Sequence, residues 1–214
     1  MTIQACIDAA LQLLNQYTIM GVPVPSTYND QEDDKLRMIN LINDAVMEIA
    51  TNARPIISYV EFTVPDKNRN EPFKDLAFQM PEDFDRATAV LFTPAHGRNQ
   101  TTDEADYYKW LGDDTFTVPN KYAGTYRVEY MRYPHQYDLT TPLDTEIDNT
   151  PDTHNIIPYY VAAMVASYDD QKAYYTLYNI WETRLSRLGY KPPHATFERV
   201  RDVYGFNVFR PWDI

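Results

Sequence analysis

The chain has 214 residues, 44% of them hydrophobic, and 19 basic against 31 acidic side chains give a net charge of −12 at pH 7. That length buries one sizeable core, or one domain with an insertion, while a chain this acidic lacks the basic surface by which nucleic-acid binders displace counterions. The one cysteine, Cys6, excludes a disulfide framework and a multi-cysteine zinc site.

No run approaches the roughly 20 apolar residues of a membrane span, and the first residues lack the basic region and cleavage site of a signal peptide. A soluble protein made in a reducing cytoplasm is expected. The charge is unevenly spread: residues 184–214 carry six basic and three acidic side chains, and every earlier section is net acidic, so only the tail reads as basic. Eighteen tyrosines suit an aromatic core or a protein interface equally well.

In chain order, Ile3, Ile7, Ala10, Leu14 and Tyr17 recur at helical spacing and predict a helix over 3–19, stopped by Gly21, Pro23 and Pro25. Asn29 stands three residues before Glu32, the spacing of a capping box, and Asp30, Asp33 and Asp34 place negative charge at a helix's positive end. The second helix buries Leu36, Ile39, Ile42, Val46, Ile49 and Ala50 and runs to about Ala53, ahead of Pro55. From Ile56 the period falls to two. Ile56, Val60, Phe62 and Val64 share a parity opposite Tyr59, Glu61 and Thr63, which predicts a strand. Short strands over 76–80 and 87–93 flank a turn at Pro81–Asp85. Thr101 and Glu104 at capping-box spacing predict a one- or two-turn helix with Ala105, Tyr108 and Leu111. Residues 115–118 and 125–133 read as strands paired with each other, with Tyr126, Val128 and Tyr130 on one face.

The strongest helical pattern runs from Thr153 to Leu188. Ile157, Tyr160, Val161, Met164, Val165 and Tyr168 form a first apolar stripe, and Tyr174, Leu177, Tyr178, Trp181, Leu185 and Leu188 a second. Thr153 or Asn155 caps its start, Pro158 falls in the first turn, and Gly189 with Pro192 and Pro193 ends it. Asp169, Asp170 and Gln171 interrupt the stripe and predict a bend or break. The expected fold is α+β: a helical bundle from residues 1–55 and 153–188, a β-rich module over 56–135 inserted between the second and third helices, an irregular connection over 136–152, and an extended C-terminal arm over 189–214.

Six isolated glycines exclude phosphate-binding loops, and His96, His135, His154 and His194 show no metal-ligand spacing. The acid pairs Asp103 with Asp106 and Asp169 with Asp170 have no attendant catalytic group. No catalytic residue, metal or cofactor is expected.

The helix pair, the module carrying Met80-Pro81-Glu82-Asp83-Phe84, the strand ending in Tyr130 to Pro134 and the Ala-rich helix with its acidic break together resemble the head-to-tail connector, or adaptor, proteins of tailed bacteriophages. The resemblance covers residues 1 to about 188. It implies a structural virion protein at the head–tail junction, made in the host cytoplasm and assembled as a homo-oligomeric ring of twelve copies. The partners it implies are the portal protein above and a tail or nozzle protein below, with genomic DNA passing without specific binding. Acids at Asp30, Glu32, Asp33, Asp34, Asp169 and Asp170 are then expected either to line the channel, where repulsion acts over roughly 8 to 10 Å at physiological salt, or to solvate the outer surface. Tyr204, Phe206, Phe209 and Trp212 are too apolar for a free tail. With Arg199, Arg201 and Arg210 they are expected either to fold back on their own subunit or to act as an arm binding the portal or a neighbouring subunit. A competing expectation is a soluble binding module that holds a carbohydrate or peptide on exposed aromatics.

Overall fold

The computed structural model describes residues 1–17, 32–67, 72–96, 102–168 and 170–189; of Glu32 and Asp33 it describes the backbone alone. The order is α1 (Ile3–Tyr17), α2 (Glu32–Asn52), β1 (Ile56–Val64), β2 (Asp75–Gln79), β3 (Phe84–Pro94), β4 (Asp103–Glu104), β5 (Lys109–Leu111), β6 (Thr115–Pro119), β7 (Gly124–Arg132), α3 (Ile157–Ala166) and α4 (Gln171–Leu188). The class is mixed α+β, and the strands fall between α2 and α3 in the chain.

Two apolar cores follow from two periodicities. The helical core joins Ile3, Cys6, Ile7, Ala10 and Leu14 of α1 to Met38, Ile39, Ile42, Val46 and Ile49 of α2, all nearly inaccessible to water. Val161, Ala162 and Ala163 of α3 and Leu177 and Trp181 of α4 complete it. Alanines on α3 let it touch α1, α2 and α4 together. Trp181 is fully buried against the Tyr160 ring at 5.1 Å.

The helix over 153–188 is broken as expected, and the break has a physical cause. Asp170 accepts hydrogen bonds from the N–H groups of Lys172 and Ala173 at 3.1 and 3.0 Å, so it caps a new helix instead of continuing the old one. Neither Thr153 nor Asn155 caps α3: the cap position is Ile156, without a side-chain bond. Thr153 instead donates to the Thr150 carbonyl at 2.7 Å and closes a 3-10 turn over Pro151–Thr153. Tyr168 is likewise not on a buried stripe. With α3 ended at Ala166 it turns outward, 77% exposed, under the Arg37 guanidinium at 4.3 Å.

The β portion is two antiparallel sheets, ordered β1-β7-β3-β4 and β2-β6-β5. They face each other through aromatic rings: Phe62 of β1 stacks on Phe78 of β2 at 4.8 Å, and Tyr126 of β7 meets Phe116 of β6 at 5.8 Å. Two expectations are corrected. β6 does not pair with β7; its partners are β2 and β5, whereas β7 is central to the other sheet between β1 and β3. The expected helix over 101–111 is instead the strands β4 and β5, because the Lys109–Leu111 backbone is taken up by the β6 ladder and Thr117 donates to the Lys109 carbonyl at 2.9 Å. Tertiary pairing outweighs a local capping pattern there.

The connection over 134–152 is irregular but tied down. Tyr137 and Ile147 are buried in the helical core. Arg132, the last residue of β7, grips Asp148 with two bonds of 2.6 Å, and Asp148 also accepts the His135 N–H at 2.8 Å. Arg54, between α2 and β1, joins two more segments, contacting Asp152 at 3.1 Å and donating to the Gly189 carbonyl at 2.6 Å, and it also donates to the carbonyl of its neighbour Ala53 at 3.4 Å.

Candidate functional site

Chemistry does not converge at any point among the described residues. No group of three or more His, Cys, Asp or Glu is placed to hold a metal ion there, and no described helix is long and apolar enough to cross a membrane. Cys6 is buried, and burial pushes its thiol up to about 12, which removes the thiolate a nucleophile needs. Asp103 sits in β4 opposite Phe92, while Asp170 is committed to capping α4.

Glu48 carries a carboxyl perturbed upward. Burial, then the charge of Glu182, raises it above the ordinary carboxylate range, and Asp44 and Glu48 add to the burial that pushes Tyr160 up to about 12. Both effects come from packing like-charged and apolar neighbours together. They supply neither a nucleophile nor an oxyanion donor.

The informative geometry is on the surface, where many of the exposed aromatic and apolar side chains among the described residues gather in three places. On β1, Ile57 and Tyr59 point out of the sheet at 50% and 55% exposure, with the Arg127 guanidinium 3.9 Å above the Tyr59 ring. On the helical unit, Tyr168 and Tyr175 flank the α3–α4 corner. Beside that corner an open groove of about 350 Å³ is lined by Leu36, Arg37, Leu41, Met164 and Tyr168, and the Arg37 Nη2 in it is buried without a hydrogen-bond partner among the described residues.

The third place is one end of the β unit. Tyr107 and Tyr122 stack in parallel at 4.6 Å and 7°, and Lys67 lies 3.9 Å above the Phe73 ring. Asn120 ties this end together, donating to the Lys74 and Pro72 carbonyls and accepting the Lys74 N–H. Lys109 reaches Asp75 at 3.9 Å. Lys67, Lys74, Lys109 and Lys121, four of the chain's seven lysines, therefore share one end. Section-by-section charge counts miss this patch, because its members are spread over 55 residues and come together only through the β2-β6-β5 sheet.

Of the expected channel acids, Asp34 is half-buried in the first turns of α2 and Asp170 is the α4 cap. Glu32 and Asp33 are in the α2 backbone, and Asp30 and Asp169 lie outside the described residues. All of the expected arm, Arg199, Arg201, Tyr204, Phe206, Phe209, Arg210 and Trp212, lies outside them too.

Fold and surface together define a mixed α+β protein. No protein-family model matches the chain, and no curated protein matches it at a significant level.

Proposed function

We propose that the chain is a head-to-tail connector: a structural protein whose copies form a ring joining a phage portal to the tail and extending the DNA channel. One observation carries this reading, the separation of exposed aromatic and aliphatic side chains onto unlike surfaces, Ile57 and Tyr59 on the β unit and Tyr168 and Tyr175 on the helical unit. A ring needs two different patches per subunit, each meeting the other's complement on the next copy, whereas a two-fold dimer needs only one. The resemblance of residues 1 to about 188 to the connector family supports the same reading, as does the acidic body, which keeps passing DNA from sticking.

The test is to mix the purified chain with portal rings and measure mass and shape by light scattering and electron microscopy. A second ring of many copies stacked on the portal is the expected result. A single bound copy per portal, or no binding, overturns it.

The parallel Tyr107–Tyr122 stack favours a second reading, a module that holds a carbohydrate or peptide against flat aromatic faces. Under it, Tyr107→Ala abolishes binding in a glycan or peptide array and leaves ring assembly intact.

A further inference from the structure

β1 is an edge strand without the usual protection. Among the described residues it pairs only with β7, in unbroken register from Ile56 opposite Arg132 to Val64 opposite Gly124, and its nine residues contain no proline, lysine or bulge. The other edge of the same sheet is guarded: β4 covers Leu91 and Phe92, and register shifts bend β3 near Arg86 and Ala89. A long, flat, unguarded edge invites another strand. β1 also has apolar surface left to cover, for Val60 and Phe62 on its inner face are only partly buried and Ile57 and Tyr59 on its outer face are half exposed.

The chain carries a segment that fits. Twenty-five residues follow Gly189, and within them Tyr204, Phe206 and Val208 alternate with Gly205 and Asn207 before Pro211 stops the run. We infer that residues 203–209 of a second copy add to the β1 edge as a further strand, with Tyr204, Phe206 and Val208 extending the row of Val60 and Phe62. The inference rests on the proposed ring and names the contact that builds it.

A second copy, not the same one, is favoured by direction. Gly189 is bonded to Arg54, two residues before β1, so each chain's tail begins at the foot of its own β1. Running up from there it would pair parallel, whereas every strand pair in both sheets is antiparallel. To return antiparallel it must first climb β1, about 30 Å at roughly 3.3 Å per residue, which takes most of residues 190–202 fully extended. A tail from a neighbour enters from either end. Donation from each copy to the next is head-to-tail and closes into a ring.

Disulfide trapping between two full-length variants tests this, since the buried Cys6 stays silent. One carries Tyr59→Cys, and the other carries Asn207→Cys or, in a second preparation, Gly205→Cys to allow for register. They are mixed, assembled on portal and oxidised. The expected result is a covalent heterodimer at least tenfold above a Glu82→Cys control. In a chain carrying both substitutions, a disulfide that forms only within one copy overturns the inference. So do rings visible by microscopy without cross-linking, and in that case the connector reading survives. No ring and no cross-link defeats both. Val208→Pro, which removes a ladder donor, is expected to cut ring yield at least tenfold with the melting temperature unchanged. A melting temperature lowered by several degrees places the segment in its own subunit and overturns the inference.

Discussion

The Asn43 side chain on α2 binds both backbone groups of Tyr137: its Nδ2 donates to the Tyr137 carbonyl at 2.8 Å and its Oδ1 accepts the Tyr137 N–H at 3.0 Å. A carboxamide is the one side chain of this size that offers a donor and an acceptor side by side, so it substitutes for a strand neighbour where the connection crosses the helical core. Asn43→Ala leaves two buried backbone groups unpaired and is expected to cost about 2–4 kcal/mol. Urea unfolding followed by circular dichroism measures it. A loss under 0.5 kcal/mol means that water replaces the amide.

Arg132 and Asp148 tie the β unit to the connection with side chains only 22% and 26% exposed. The hydrogen bond from Arg132 is the main reason that the Asp148 carboxyl lies below its ordinary range, with burial opposing and the His135 N–H assisting. A carboxyl lowered on folding adds stability above its unfolded pKa and loses that contribution as pH falls through the folded value. Wild-type stability is therefore expected to drop from pH 5 towards pH 2 more steeply than that of Asp148→Asn, and at pH 7 the variant is expected to be weaker by about 1–3 kcal/mol. Parallel stability curves for the two proteins argue against the assignment.

Glu48 behaves in the opposite sense. Burial and the nearby Glu182 raise its carboxyl, so the ionised form costs stability at neutral pH and the cost disappears as pH falls and the group protonates. Glu48→Gln is expected to raise stability at pH 7 by a few tenths to about 1 kcal/mol, with no gain at pH 3. Thermal melts at the two pH values settle this, and a variant that is less stable at pH 7 contradicts it.

Gly124 starts β7 where three strands meet, opposite Val64 and Pro94. Its φ of 155° disfavours a side chain, and a Cβ there would lie 2.3 Å from the Thr93 carbonyl oxygen and 2.6 Å from the Phe92 ring. Because one of those obstacles is backbone, Gly124→Ala is expected to cost about 3 kcal/mol or more and to lower expression of folded protein. A melting temperature within a degree of wild type shows that the strand slides to make room.

Local periodicity made much of this molecule legible. Ile56 to Val64 alternates in the structure as it does in the sequence, and the interruption at Asp169–Gln171 marks the α3–α4 corner because an aspartate there captures N–H groups that a continuing helix would need. Partners were not legible. Thr115–Pro119 looks like half of a hairpin with β7 because the two are adjacent, yet the side chains that decide its sheet, Phe78 and Phe62 around Phe116, come from far along the chain. The lysine end of the β unit was hidden for the same reason. Asn43 reads as a polar interruption of an apolar helix until Tyr137 is seen against it.

Arg54 also determines how the molecule bears tension. Its guanidinium binds the Gly189 carbonyl, the Asp152 carboxylate and the Ala53 carbonyl, with its side chain only 12% exposed. A pull on residue 190 thus loads α4, the turn ahead of α3 and the corner between α2 and β1 at once. Without that clasp the same pull would peel α4 from its last turn, breaking one backbone bond at a time. With it, the weakest mode of mechanical failure is closed until a charge-assisted contact gives way, and a load entering at Gly189 passes to the seam between the two cores.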